Sequence, residues 1–307
     1  MSRQKDTHSA HPPSKREKRR QKQKQPQQTQ PSGSHPFEVD AADHCETPLR
    51  AYQDLAVVLD HLLRQKERTD PRHNLRDDAS DPRKLDPPAR SSLRIYDPYY
   101  CDGGAKAKLA ALGFTNVIHE NRDFYQDVDS GRIPDHDVLV TNPPYSGRHI
   151  ERLLAYCATR EGKEARPALL LLPHFVYTKG YYAQALELAT RGTAAEARPR
   201  EDFFSFLVPQ TRYSYAPPAW AHARAGASLA LARGKDTTAP FPSFWYCCRL
   251  AGARASPAAE GASRRWLEAT FGAAGSVRSG HASGLRYARV PREIPRDFKV
   301  RPNERSC

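Results

Sequence analysis

The chain is 307 residues long, enough for one large domain or two small ones, and 48 Lys and Arg against 35 Asp and Glu give a formal charge of +13. Its 38% apolar content supplies a core, whereas 26 Pro and 17 Gly imply many turns and some unstructured sequence. The longest apolar run, Ala168 to Pro173, falls far short of the roughly 18 residues of a membrane span.

Six cysteines (45, 101, 157, 247, 248 and 307) show neither Cys-x-x-Cys nor paired-His spacing. No zinc module or secreted disulfide scaffold is suggested, no metal site is expected, and a reducing intracellular compartment is the natural reading. Residues 1–36 carry nine Lys and Arg against Asp6 and Glu17, a net +7, and contain no Leu, Ile, Val, Phe, Tyr or Trp. Such a segment cannot bury enough apolar area to offset its ordering entropy, so it is expected to be disordered. It reads as a nuclear or nucleolar address, or as an electrostatic arm for nucleic acid. A mitochondrial presequence would need apolar residues on one helical face.

Order is expected from Phe37. Thr47 as N-cap and Pro48 at the first helical position open an amphipathic helix to about Gln65, with Tyr52, Leu55, Ala56, Leu59, Leu62 and Leu63 at three-to-four spacing. From Glu67 to Ser91 the chain is polar and reads as a surface loop. A strand over Leu93–Tyr96 ends at Asp97-Pro98, a helix spans Lys106–Leu112 up to Gly113, and a second strand covers Thr115–His119. A third strand, Asp137–Thr141, ends at Asn142-Pro143-Pro144-Tyr145 and is followed by a helix over His149–Thr159. Ala168–Leu172 suits a parallel strand covered on both faces, and Phe203–Val208 and Phe244–Cys248 read as two more strands.

This alternation predicts an α/β fold: a doubly wound, mostly parallel, Rossmann-like sheet whose ligands bind at the carboxyl ends of its strands, where Asp97 and Asn142 stand. The domain is expected over 37–250, followed by a partly helical extension over 251–285, in which Trp266, Leu267 and Phe271 suggest a docking helix. Residues 286–307, with seven Arg and Lys against three acids, read as a basic extended tail of net +4, which leaves only +2 for residues 37–285.

Asn142-Pro143-Pro144-Tyr145 is the most specific signal, since chance places that tetrapeptide in roughly one such chain per thousand. Asp/Asn/Ser-Pro-Pro followed by an aromatic, after a hydrophobic strand, resembles the S-adenosylmethionine-dependent amino-methyltransferases, above all those acting on N6 of adenine. Asp97-Pro98-Tyr99-Tyr100-Cys101-Asp102-Gly103-Gly104 is similar to the cofactor loop of that family. Glu120 stands where the family places an acid on the cofactor ribose, and Glu46-Thr47-Pro48 resembles its Thr-Pro element. Arg212-Tyr213-Ser214-Tyr215 and Ala239-Pro240-Phe241-Pro242-Ser243 look like its target-side strand pair.

The resemblance implies a class I methyltransferase domain over about 44–250, with S-adenosylmethionine as cofactor. Thr47, Asp97, Gly103, Gly104, Glu120, Asp123 and Phe124 are the expected cofactor-binding residues, and Asn142, Pro143, Pro144 and Tyr145 the catalytic ones. The glycines lack Cβ and let backbone approach the methionine part. Asp97 can accept from its ammonium or fix the loop, Glu120 can take the ribose hydroxyls, and Asp123 can accept from its adenine amine with Phe124 beside the ring. Only 45 residues separate Asp97 from Asn142, so one β-α unit between them is expected to shrink to a turn.

Adenine's exocyclic amine is a poor nucleophile because its lone pair is delocalised into the ring. An Asn side-chain oxygen and the carbonyl of the first Pro can each accept one of its N–H bonds, and Tyr145 offers a face to a base taken out of its stack. Arg212, Tyr213 and Phe241 are the expected substrate-binding residues, since basic-plus-aromatic segments suit unstacked nucleic acid. His174 reads as a satisfied loop histidine. Nucleic acid is the expected partner, RNA ahead of DNA on tail chemistry. A catalytically inactive RNA-binding or assembly factor and a protein glutamine N-methyltransferase are the alternatives.

Overall fold

The computed structural model describes residues 46–69, 89–159, 165–190, 203–215, 241–251, 257–272 and 284–299. In chain order they form α1 (Leu49–Thr69), β1 (Ile95–Tyr96), α2 (Gly104–Ala110), β2 (Val117–Ile118), α3 (Phe124–Asp129) and β3 (Val138–Thr141). There follow α4 (His149–Thr159), β4 (Ala168–Pro173), α5 (Gly180–Thr190), β5 (Phe204–Pro209), β6 (Ser243–Cys248), α6 (Pro257–Phe271) and β7 (Leu285–Ala288). The expected disordered segment 1–36, most of the polar stretch 67–91 and residues 300–307 lie outside the described residues. No helix among the described residues is long and apolar enough to cross a membrane.

The strands make one sheet in the order β2-β1-β3-β4-β6-β5-β7. The pairs β1–β2, β1–β3 and β3–β4 are parallel, whereas β4–β6, β5–β6 and β5–β7 are antiparallel. Five strands therefore share one direction, and β6 and β7 run against them.

Period-two alternation sorts side chains to the two faces. Leu169 and Leu171 of β4 pack with α1, α2 and α6, while Ala168, Leu170 and Leu172 pack with the layer that holds α4 and α5. With helices on both faces, every residue of β4 is buried, and each fully buried leucine contributes roughly 1.5–3 kcal/mol. This is a mixed α/β architecture, compatible with a Rossmann-like, doubly wound fold.

Several element ends differ from expectation, each for a physical reason. The first helix runs a turn beyond Gln65 because Lys66 Nζ bonds Asp137 Oδ2 (2.6 Å) and the Ser92 carbonyl (2.7 Å), tying the helix end to the sheet. β1 and β2 have two residues each rather than the four and five expected. At β1 the Arg94 N–H donates to Asp137 Oδ2 (2.8 Å) instead of extending the ladder. The short interval between Asp97 and Asn142 holds α2, β2 and the six-residue α3, so the shortened unit is a small helix and not a bare turn.

The largest difference lies at the end of the chain. Residues 285–298, expected as the close of an extension and the start of an extended tail, form β7 and two 3-10 turns. β7 pairs with β5 (Phe206↔Ala288, Pro209↔Leu285), and Ile294 and Phe298 are buried behind it. Arginines at 286, 289, 292 and 296 conceal the sparse apolar anchors in the sequence. The helix expected around Trp266 is α6, with Leu267 and Phe271 in the core and the Trp266 ring stacked on His61 of α1 at 3.6 Å.

Candidate active site

From β1 the sheet extends to β2 on one side and to β3 on the other, so the chain's switch point lies between the carboxyl ends of β1 and β3. Ligands of open α/β sheets bind in the crevice outside such a point. Asp97 directly follows β1, and Asn142 directly follows β3. Thr141, the last residue of β3, donates its hydroxyl to Asp97 Oδ1 at 2.5 Å and so joins the two strand ends.

Asp97 is only 3% exposed. Its amide donates to the Ile118 carbonyl (3.0 Å), and the Tyr99 amide donates to its Oδ1 (3.3 Å). His119 Nδ1 donates to the Asp97 carbonyl at 3.1 Å and lies 3.7 Å from Oδ2. Burial pushes the Asp97 carboxyl above its ordinary range, opposed by His119, the Thr141 hydroxyl and the Tyr99 amide, while the Glu46 charge pushes the same way as burial. Tyr100 stacks on the His119 ring at 5.1 Å.

Beyond Asp97 the loop turns on two left-handed residues, Cys101 (φ 49°) and Gly103 (φ 84°). Gly103 donates its amide to the Tyr100 carbonyl (2.8 Å), and a Cβ there would press on the Tyr100 hydroxyl. Gly104 differs from expectation. Its amide donates to Glu46 Oε1 (2.7 Å), Glu46 Oε2 pairs with Lys108 Nζ (2.6 Å), and a Cβ on Gly104 would collide with that carboxylate. The close approach that glycine allows is used here by the chain's own carboxylate, which also starts α2 two residues earlier than expected. Thr47, beside Glu46, is buried.

Glu120 ends β2's extension with its carboxylate exposed, 3.8 Å from Arg122 Nη1. It shares a pocket with Pro98, Ile118, Phe124 and Arg122. Asp123 and Phe124 do less there than expected. Asp123 Oδ1 accepts from the amides of Tyr125 (2.8 Å) and Gln126 (3.2 Å), so it caps α3. Phe124 is a core residue, packed 5.4 Å from the Tyr99 ring and 5.2 Å from Tyr156, that borders the pocket from inside. Arg122 holds the Asp127 carboxyl below its ordinary range through paired bonds of 2.7 and 2.8 Å.

On the other flank, Asn142 is half-buried with its Oδ1 shielded from solvent, and Pro143 is buried. Tyr145 donates its hydroxyl to the Leu171 carbonyl of β4 (3.2 Å), which fixes its ring 5.7 Å from Phe241. Phe241 in turn lies 5.2 Å from Phe175, and Lys179 Nζ sits 5.3 Å from the Phe175 ring centre. Phe175 and Lys179 were not singled out in the sequence; the available signal was their place just after β4.

Tyr213 is not brought to this flank. It is a core residue whose hydroxyl donates to Asp54 Oδ2 (3.2 Å). Arg212 is exposed, and Tyr215, hydrogen-bonded to Ser243 Oγ (2.6 Å), anchors its segment beside Phe241. His174 is buried, its amide donating to the Pro242 carbonyl (2.8 Å).

The site thus has two unlike flanks about the switch point. One carries the buried Asp97 carboxylate and a pocket whose lining includes Glu120, Asp127, Arg122 and Arg132. The other carries an amide and aromatic faces suited to a planar, polar ring. Among the described residues, no cluster of three or more His, Cys, Asp or Glu is placed to hold a metal ion. No protein-family model matches the chain, and no curated protein matches it in sequence.

Proposed function

We propose that the chain is an S-adenosylmethionine-dependent N-methyltransferase acting on the exocyclic amine of adenine in nucleic acid, RNA ahead of DNA. The observation that carries this reading is the junction of Asp97 and Asn142 at the switch point through Thr141, with acidic groups on one flank and aromatic rings on the other. A donor and an acceptor would each have a chemically suited flank and meet between them.

The residues fit the cofactor in part. Glu120's exposed carboxylate suits the two ribose hydroxyls, whereas Asp97's is buried and bonded to Thr141 and Tyr99, so it holds the loop and is not open to an ammonium. Gly104's amide is already engaged by Glu46, so the expected backbone contact there is not offered. When bound, S-adenosylmethionine supplies an electrophilic methyl on its sulfonium.

The chain's own contribution is orientation. Once the Asn142 side chain turns its shielded Oδ1 outward, that oxygen and the Pro143 carbonyl would accept the two N–H bonds of the amine, drawing its lone pair out of conjugation with the ring. Tyr145 holds the base face, and the prolines hold the acceptors at little further entropic cost. No side chain needs to remove a proton before the methyl is transferred; the methylated amine, cationic once its nitrogen–carbon bond forms and the sulfur–methyl bond breaks, then loses its extra proton to solvent. The basic segment 1–36 supports a nuclear or nucleolar location and added contact with phosphates.

The test is labelled methyl transfer onto total RNA, genomic DNA and protein, with nucleoside analysis of the product. Asn142→Ala is expected to lower transfer roughly 100-fold or more, with cofactor affinity by calorimetry nearly unchanged. Equal loss of both would make Asn142 a structural residue. Absence of binding at millimolar cofactor would overturn the enzyme and favour a binding factor on the same fold, the second reading that Glu46 on the Gly104 amide supports.

A further inference from the structure

We infer that the turn after β4 forms a second nucleotide subsite, in which Phe175 stacks an unpaired base beside the target and Lys179 meets its phosphate, so that the site takes single-stranded nucleic acid. The inference rests on the proposed reading only for where the target base lies.

Three rings from three separate segments meet at one end of the sheet. Tyr145 follows β3, Phe175 follows β4, and Phe241 precedes β6, whose first residue, Ser243, pairs with the last of β4, Pro173. All three therefore lie at the carboxyl end of the parallel strands, in the continuous run Tyr145–Phe241–Phe175. Core aromatics of β6, such as Phe244 and Tyr246, are fully buried, but these three keep part of their surface in solvent.

The run is also held in place. Tyr145 is pinned by the Leu171 carbonyl, and the turn carrying Phe175 is fixed by the His174 amide on Pro242 and the Tyr177 amide on the Tyr246 hydroxyl (3.1 Å). A preorganised aromatic surface loses little entropy when a ring stacks on it. Lys179 Nζ lies over the Phe175 ring, 5.3 Å from its centre, so a base stacking there would displace it to the rim of the ring, where it can meet the phosphate.

A duplex hides its base faces, so aromatic surfaces of this kind favour unstacked strands. The basic segment 1–36 would meet phosphates of single strands and duplexes alike, so a preference for single strands has to come from the stacking surface. Stacking on Tyr145 and Phe175 would supply that preference.

The test uses the full chain and fluorescence anisotropy with short labelled RNA and DNA strands of mixed sequence, each free and annealed to its complement. Single strands should bind more tightly than duplexes. Phe175→Ala should weaken single-strand binding about 5- to 100-fold, and Phe175→Trp should restore it. Lys179→Gln, at a half-buried position and checked by an unchanged melting temperature, should lower the slope of log affinity against log salt by roughly 0.7. Duplexes binding as tightly as single strands, or wild-type affinity and salt slope in both Phe175→Ala and Lys179→Gln, would overturn the subsite. If wild type transfers no methyl group yet binds single strands through Phe175, the proposed reaction fails and the subsite stands. Transfer onto protein with no oligonucleotide bound would do the reverse.

Discussion

At the scale of single residues, Asp97 sets solvation against charge. Its carboxylate is buried, and the Thr141 hydroxyl, the Tyr99 amide and the nearby His119 imidazole replace its water only in part. Because its folded pKa is raised above the unfolded value of about 3.9, the folded state binds the proton more tightly. Stability therefore rises as pH falls through the folded pKa and is lower at neutral pH. Asp97→Asn keeps an acceptor for Thr141 and Tyr99 while removing the charge. We expect it to raise neutral-pH stability by about 1 kcal/mol and to flatten the pH dependence. Thermal melts from pH 4 to 8 check this; a destabilised Asn variant would show the charge to be fully compensated. Asp97, Glu120 and Asn142 were legible in the sequence because apolar runs mark strand ends. Asp123 was not, since an aspartate ahead of a helix reads equally well as ligand or cap, and only the amides of Tyr125 and Gln126 decide it. Phe175 was hidden because nothing in its own segment shows that Phe241, 66 positions later, will lie against it.

Between elements, the contact of α1 with α6 is pH-sensitive by construction. His61 stacks on Trp266, and its Nε2 accepts from Gln65, which also donates to Ser263 Oγ of α6 (3.1 Å). Burial first, then Arg64 and Arg68, pushes the His61 pKa down to about 4. For a histidine with a lowered folded pKa, the neutral form belongs to the fold. Its contribution is complete above about 6.5 and is lost as pH falls toward 4, where a proton on Nε2 would break the Gln65 bond. Trp266 fluorescence of the folded protein should change near pH 4, where His61 takes up its proton, and His61→Phe should remove the change while keeping the stack. A flat signal in wild type would disprove the coupling. The helices also show what local pattern can and cannot tell. α4 matches its expected span at both ends, because Ile150, Leu153, Leu154 and Cys157 mark one buried face. α2 starts early because its first amide meets a carboxylate 58 positions away, a contact no local window contains.

Across the whole molecule, charge and core are less separate than the sequence suggests. Much of the basic carboxyl-terminal stretch is built into the sheet: Arg286 lies within β7, between the buried Leu285 and Tyr287. Removal of residues 284–307 should therefore cost several kcal/mol, since it deletes a paired strand together with Ile294 and Phe298. Removal of residues 1–36 should leave the melting temperature unchanged. Parallel melts of the two truncations check this, and equal stability would return β7 to the status of a tail.

The order of strands has one more consequence. The stickiest segments, Ala168–Pro173 and Ser243–Cys248, lie in the interior of the sheet with partners on both sides. The rims are β2, which offers only two residues, and β7, which carries an arginine within its four. Short or cationic rims give another chain little backbone to add to. The arginine-rich end that looked made for nucleic acid thus guards the protein against itself: without β7, the apolar β5 would become an open edge, and aggregation would compete with folding.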